Sequence, residues 1–433
     1  MRLARAVSTL VFLAVVASSA GACEPPAPPT KPAKAVVSKL IKKLTDKDPE
    51  TRANAAEGLG DLGSDAVDAV PALIKSLRDD DEKVVINASI ALSQIGPPAV
   101  PFLITELGAE DKEIRRRCVW VLERIRPKPT GAVSALIAIM KEDKDAGLRV
   151  RAMEVLAGID DKDSIGAFIY VITRDPDPSI RGSAIGLVSN FGPKAKAAIP
   201  ALITVMKTDL NKPRLNQPAF GYEAASTLGF IGPDAVAPLV DLLEDSANSA
   251  RLRTGAAWSL ERVANYHGGK AIKPAVPALI KALKDEDKDL RSDAAAALAK
   301  TQKHGKDAVP ALQGALQDEL PIVRIKAADA LCRIDASNAP AIRALIKEIQ
   351  SNDENARFSA SWYLRGLGEI AVPGLIKELR TGNVAGRMGA ISGLKILGAD
   401  AKDAIPALKE AIDDPDPVVR EAAGKVLKPL QRK

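Results

Sequence analysis

From residue 36 to the C-terminus the apolar positions recur in a fixed rhythm. A short apolar run with a proline, AVPALIK at 69–75, is followed about fourteen residues later by an apolar residue, an Arg and an Ala-rich stretch. The first run returns as AVPALIK at 275–281, AVPGLIK at 371–377, AIPALI at 198–203, AVPAL at 308–312 and AIPAL at 404–408. Pro277, Pro310, Arg343, Pro373 and Pro406 hold equivalent places about 33 residues apart, a solenoid period. The second signature is marked by Arg52, Arg115, Arg149, Arg181, Arg253, Arg291, Arg324, Arg357, Arg387 and Arg420. Together the two signatures predict about twelve repeats of two helices each.

The local chemistry fits that reading. Proline is suited to the first turn of the first helix, where its missing N–H would have no partner anyway. Four residues before the Arg, or before Val85 in its place, stands Asp48, Asp81, Asp111, Asp145, Asp177, Asp287, Asp353 or Asp416, each an expected N-cap of the second helix. Capping leaves these carboxylates no catalytic role to explain. Apolar residues three, seven and ten after the Arg, such as Ala294 and Leu298 or Ala327, Leu331 and Ile334, make one stripe per helix. Such a stripe is buried only against neighbouring repeats, so the expected fold is all-α, an α/α superhelical solenoid over residues 36–433.

The pattern A-V-P-A-L-I, then D-x-x-x-V-R-x-x-A-A-x-x-L, then Gly, resembles the short HEAT repeat, the type also called phycobilisome-lyase-like. Ankyrin and tetratricopeptide signatures are absent. The resemblance implies second helices lining a concave face and a family whose members mostly bind other proteins, with a minority of enzymes.

The N-terminus reads differently. Arg2 and Arg5, the apolar run LVFLAVVA at 10–17 and Ala20-Gly21-Ala22 form an expected secretory signal over 1–22. Cys23 admits two readings, the first mature residue or the lipid-accepting cysteine of a bacterial lipoprotein. Its context resembles a lipobox, with Ala20 where Leu is usual. Residues 23–35, which include EPPAPPTKPAK at 24–34, are an expected extended spacer. The expected location is the periplasm or cell envelope, with membrane association only through that anchor. Losing two arginines takes the net charge from +6 to about +4, weak for a phosphate-neutralising surface, so no nucleic-acid partner is expected.

Two histidines and three cysteines leave little material for a metal site, and no cofactor is expected. His267 and His304 are each followed by Gly, not by the Glu of HEAT-like hydroxylases, and both are expected in turns. Cys118 falls in a buried slot and Cys332 in a partly exposed one. They lie too far apart to bond, and no histidine is near to activate either. The chain is therefore expected not to be an enzyme.

Departures from the repeat carry the functional signal. The slot five after the Arg holds Glu57, Glu154, Gly186, Ser226, Ala296, Asp329, Ser392 and Lys425, mostly polar or small and expected to face outward. All three tryptophans fall there as well: Trp120, Trp258 and Trp362. Arg124, Arg262 and Arg365 follow them, and Trp with Arg is the composition of binding hot spots. The alternative is that each indole lies flat on a neighbouring helix. A second departure is an inserted loop at 209–220 (DLNKPRLNQPAF) with Arg214 and Phe220, and the turn at 265–273 is also long. The expected function is an extracytoplasmic scaffold binding a protein or peptide partner along the concave face. The alternatives are a structural envelope component without a dedicated ligand, or an enzyme related to HEAT-like lyases or hydroxylases.

Overall fold

The computed structural model describes residues 31–211, 220–336 and 338–431, and among them every regular element is a helix. The helices come in pairs. The first three are α1 (Lys31–Lys43) with α2 (Pro49–Asp61), α3 (Val70–Ser76) with α4 (Glu82–Ile95), and α5 (Val100–Glu106) with α6 (Lys112–Arg124). Next come α7 (Val133–Glu142) with α8 (Ala146–Ile159), α9 (Asp163–Arg174) with α10 (Pro178–Val188), α11 (Ile199–Leu210) with α12 (Gly221–Ile231), and α13 (Val236–Glu244) with α14 (Ala250–His267). The last five are α15 (Val276–Ala282) with α16 (Lys288–Thr301), α17 (Val309–Ala315) with α18 (Pro321–Ile334), α19 (Ala339–Ile349) with α20 (Glu354–Leu367), α21 (Val372–Thr381) with α22 (Val384–Leu397), and α23 (Ile405–Glu410) with α24 (Pro417–Gln431).

Two compact units divide between Ala132 and Val133. In the first, α2, α4 and α6 pack in a row; in the second, the even-numbered helices from α8 to α24 do the same. The predicted stripe is the core of that row: Ala294, Leu298, Ala327 and Leu331 are fully buried. Within each unit, each helix pair covers the apolar stripe of the next, the arrangement of an all-α solenoid.

The second signature has a mechanical meaning. Its Arg bonds the backbone carbonyls of its own turn, as Arg52 Nη1 does to Asp46 O at 3.0 Å and Arg420 to Asp414 O at 2.7 Å. The same guanidinium reaches a carboxylate of the following repeat. Arg52 pairs with Asp79 at 2.7 Å, Arg149 with Asp175 at 3.0 Å, Arg291 with Asp318 at 2.7 Å, Arg387 with Asp414 at 2.8 Å, and Arg253 with Asp285. The hydrogen bond from Arg52 holds the Asp79 carboxyl below its usual range. Capping is thus only half the duty of the turn carboxylates. The eight expected caps do accept helix N–H groups, from Asp48 to Asp416, while Ser249 and Asn383 cap α14 and α22.

Several boundaries differ from expectation. The helix α1 begins at Lys31, so the end of the expected spacer, residues 31–35, is helical. The inserted loop begins later than 209, because α11 continues to Leu210. Of the long turn at 265–273, the first three residues belong to α14, which His267 closes, and a 3-10 helix takes up Gly269–Ala275. There His267 Nε2 lies 3.0 Å from Phe230 O. It also abuts Gly232, whose φ of +94° and 2.5 Å clearance to that nitrogen leave no room for a Cβ. No single described helix is long and apolar enough to cross a membrane.

Candidate functional site

Most of the described aromatic residues, including the three tryptophans, lie on second helices. In the first unit Trp120 is half-buried, with the Arg124 guanidinium 4.5 Å from its ring centre. On the neighbouring α4, Ile86 and Ile90 are exposed.

In the second unit Trp258 is also half-buried. Tyr222 of α12 meets it edge-on at 6.1 Å, and Arg262 lies 5.0 Å from its ring. The same guanidinium sits 5.4 Å from Phe230 and 5.2 Å from Tyr266, two rings stacked at 4.1 Å, and Nη2 donates to the Tyr266 hydroxyl at 2.6 Å. Its buried Nε makes no hydrogen bond. Arg262 is thus engaged by its own aromatic neighbours, an arrangement that rigidifies the ridge.

Trp362 is different. It is 62% exposed, and Phe358, one helical turn earlier, is 73% exposed. Tyr363 meets Trp362 edge-on at 5.1 Å, and no cation–π contact joins Arg365 to the indole among the described residues. Large apolar side chains this exposed, side by side, mark contact surfaces.

Between the two indoles the face is a ladder of matched charges. Glu261 of α14 meets Lys300 of α16 at 3.6 Å, Asp293 of α16 meets Lys326 of α18 at 3.2 Å, and Asp329 is held by Arg333 at 2.9 Å. The expectation that slot five faces outward fails at Ala296 and Asp329, which are buried. They lie on α16 and α18, helices packed between the second helices of neighbouring repeats. Burial raises the Asp329 and Asp293 carboxyls against the pull of their cations, and burial with the nearby Asp329 pushes the Tyr363 hydroxyl up to about 12.

Phe220 is half-buried and folds onto Gly182 of α10, where any Cβ would lie 2.1 Å from its ring. It helps line a groove of about 580 Å³ with Glu154, Glu223 and the small residues Gly182, Ser183 and Gly186. Arg214 and Cys23 lie outside the described residues. Cys332 is fully buried like Cys118, contrary to expectation, on a helix packed between α16 and α20; both are free thiols, pushed up by burial to about 12. The spacing of tryptophans reveals one slot; Phe358, Tyr222, Phe230 and Tyr266 become visible only when slots one, nine and thirteen are read as the same helix face.

These features define an all-α solenoid with an aromatic, charge-laddered second-helix face. The HEAT-repeat profile matches residues 37–123, 133–217, 276–365 and 342–428, and the chain belongs to the HEAT-repeat family. Among solved structures it is similar to Kap121p bound to Nup53p (TM-score 0.58, 15% identity, 92% of this chain and 49% of that one). It is also similar to the karyopherin Kap121p bound to the SUMO protease Ulp1p (TM-score 0.56, 12% identity, 93% and 51%). The chain spans about half the length of these karyopherins, and the likeness is one of fold. No curated protein shows a significant sequence match.

Proposed function

We propose that the chain is an extracytoplasmic scaffold of short, phycobilisome-lyase-like HEAT repeats that binds a protein or peptide along its second-helix face. The observation that carries this is the exposed pair Phe358 and Trp362, 73% and 62% accessible on a face whose other aromatics are supported by their neighbours. A non-enzymatic role fits the free thiols, which burial keeps protonated, and the acidic side chains of the face, which are matched to cations. The structures of Kap121p with Nup53p and with Ulp1p are consistent with this use of the fold. Export and lipidation at Cys23 rest on the N-terminal sequence. A photo-crosslinking residue at position 358 or 362 should capture a discrete partner in cell-envelope preparations, while one at exposed first-helix positions such as Lys75 or Lys377 should not. Equal labelling from both faces, or none from the second-helix face of folded protein, would overturn the proposal.

A further inference from the structure

Beyond Trp362 the charge pattern of the second-helix face changes. The slot eight after the Arg is Glu261 on α14, Ala299 on α16 and Cys332 on α18, but Arg365 on α20, Lys395 on α22 and Lys428 on α24. All three cations are exposed, and none takes part in an ion pair among the described residues. Acidic partners are scarce: α22 carries no carboxylate, α20 only Glu354 in its first turn, and α24 only Glu421, bridged to Lys425 at 2.6 Å. The matched ladder of α14 to α18 therefore gives way to three unanswered cations in the same register, next to the most exposed aromatic pair on the face.

We infer that α20, α22 and α24 form a docking surface for an extended acidic segment of a partner protein. An apolar residue of the segment seats on Phe358 and Trp362, and its carboxylates meet Arg365, Lys395 and Lys428. This rests on the scaffold reading above and names the chemistry of the partner. Charge complementarity sets the sign. Geometry sets the conformation: packed helices lie about 8–10 Å apart, so one cation is presented at each such step. A polyproline II strand advances about 9.3 Å per three-residue turn, so an acidic residue at every third position meets one cation per repeat. A helical ligand brings its carboxylates round at about 5.4 Å and falls out of step. Exposed aromatic rings also suit prolines, which favour that conformation.

The test uses the full chain and labelled synthetic peptides read by fluorescence anisotropy. A peptide of repeated Glu-Pro-Leu triplets should bind, and binding should weaken as salt is raised. The Lys-Pro-Leu counterpart should not bind. A peptide of the same composition with its glutamates grouped at one end should bind at least about tenfold more weakly, since it meets one cation instead of three. Trp362→Ala and Lys395→Glu, both at exposed positions, should each weaken the triplet peptide by about tenfold or more while the helical melting curve is unchanged. Equal binding of the acidic and basic peptides, equal binding of the spaced and grouped peptides, insensitivity to both variants, or no binding would each overturn the inference. Crosslinked capture at position 358 or 362 of a partner region lacking acidic residues would overturn it while leaving the scaffold proposal intact.

Discussion

Trp258 and Trp362 hold the same slot of the repeat but meet different neighbours, and their energetics should separate accordingly. On α12, the helix before Trp258, slot one carries Tyr222, which supports the indole; on α18, the helix before Trp362, that slot carries Ile325, itself buried. Trp258→Ala removes ring contacts from a packed ridge and should cost about 3 kcal/mol of stability. Trp362→Ala should cost within about 0.5 kcal/mol, as for ordinary surface changes. Denaturant unfolding of the two variants checks the contrast, and similar losses would mean that the indoles share one environment. Asp329 makes a second residue-scale prediction. Burial raises its carboxyl pKa despite Arg333, so its contribution to stability is full in acid and is lost as pH rises through the raised value. Asp329→Asn should therefore stabilise the protein at neutral pH, and the gain should vanish below the ordinary carboxyl range near 3.8. Melting curves at the two pH values check this; destabilisation at both would show that the Arg333 bond outweighs burial.

Among the elements, the strongest joints are the Arg–Asp staples that tie one turn to the next repeat. Arg149 and Asp175 are the most buried such pair, with side chains 11% and 3% exposed, and Arg149 also donates to Asp143 O at 2.8 Å. Removing one partner leaves the other charged in a dry joint. Arg149→Ala should cost about 3–5 kcal/mol. The loss should appear as earlier unfolding by circular dichroism and faster amide exchange in α8 to α10, and a variant melting like wild type would show that the joint is carried by apolar packing alone. The recurring Arg was legible in the sequence, as were the helix pairs and the eight Asp caps, because each is local chemistry within one turn. Its partners Asp79, Asp175, Asp285, Asp318 and Asp414 stand 26 to 32 residues away, and choosing them needed the register of one repeat on the next.

For the whole molecule, nearest-neighbour stacking predicts that repeats are removable units. Deleting residues 276–308 joins Ala275 to Val309 and restores Ala-Val-Pro-Ala-Leu across the cut. Arg253 then meets Asp318 in place of Asp285. The shortened chain should remain soluble and helical, whereas a cut of equal length out of phase should not; equal damage from both would argue for unique long-range contacts. At the other end of the chain, Cys23→Ser should release a membrane-associated protein to the soluble fraction, and wild-type protein already wholly soluble would remove the anchor from the proposal.

The period, the all-α class, the two helices per repeat and the capping residues follow from the sequence alone, because each depends on spacing within about 33 residues that the chain repeats. Which slots are open to solvent does not follow. Slot five is a half-buried indole at Trp258, an exposed one at Trp362, a buried methyl at Ala296 and a buried carboxylate at Asp329. The difference lies in the side chain that the adjoining repeat places against each, so accessibility belongs to pairs of repeats, and only their stacking in three dimensions assigned it.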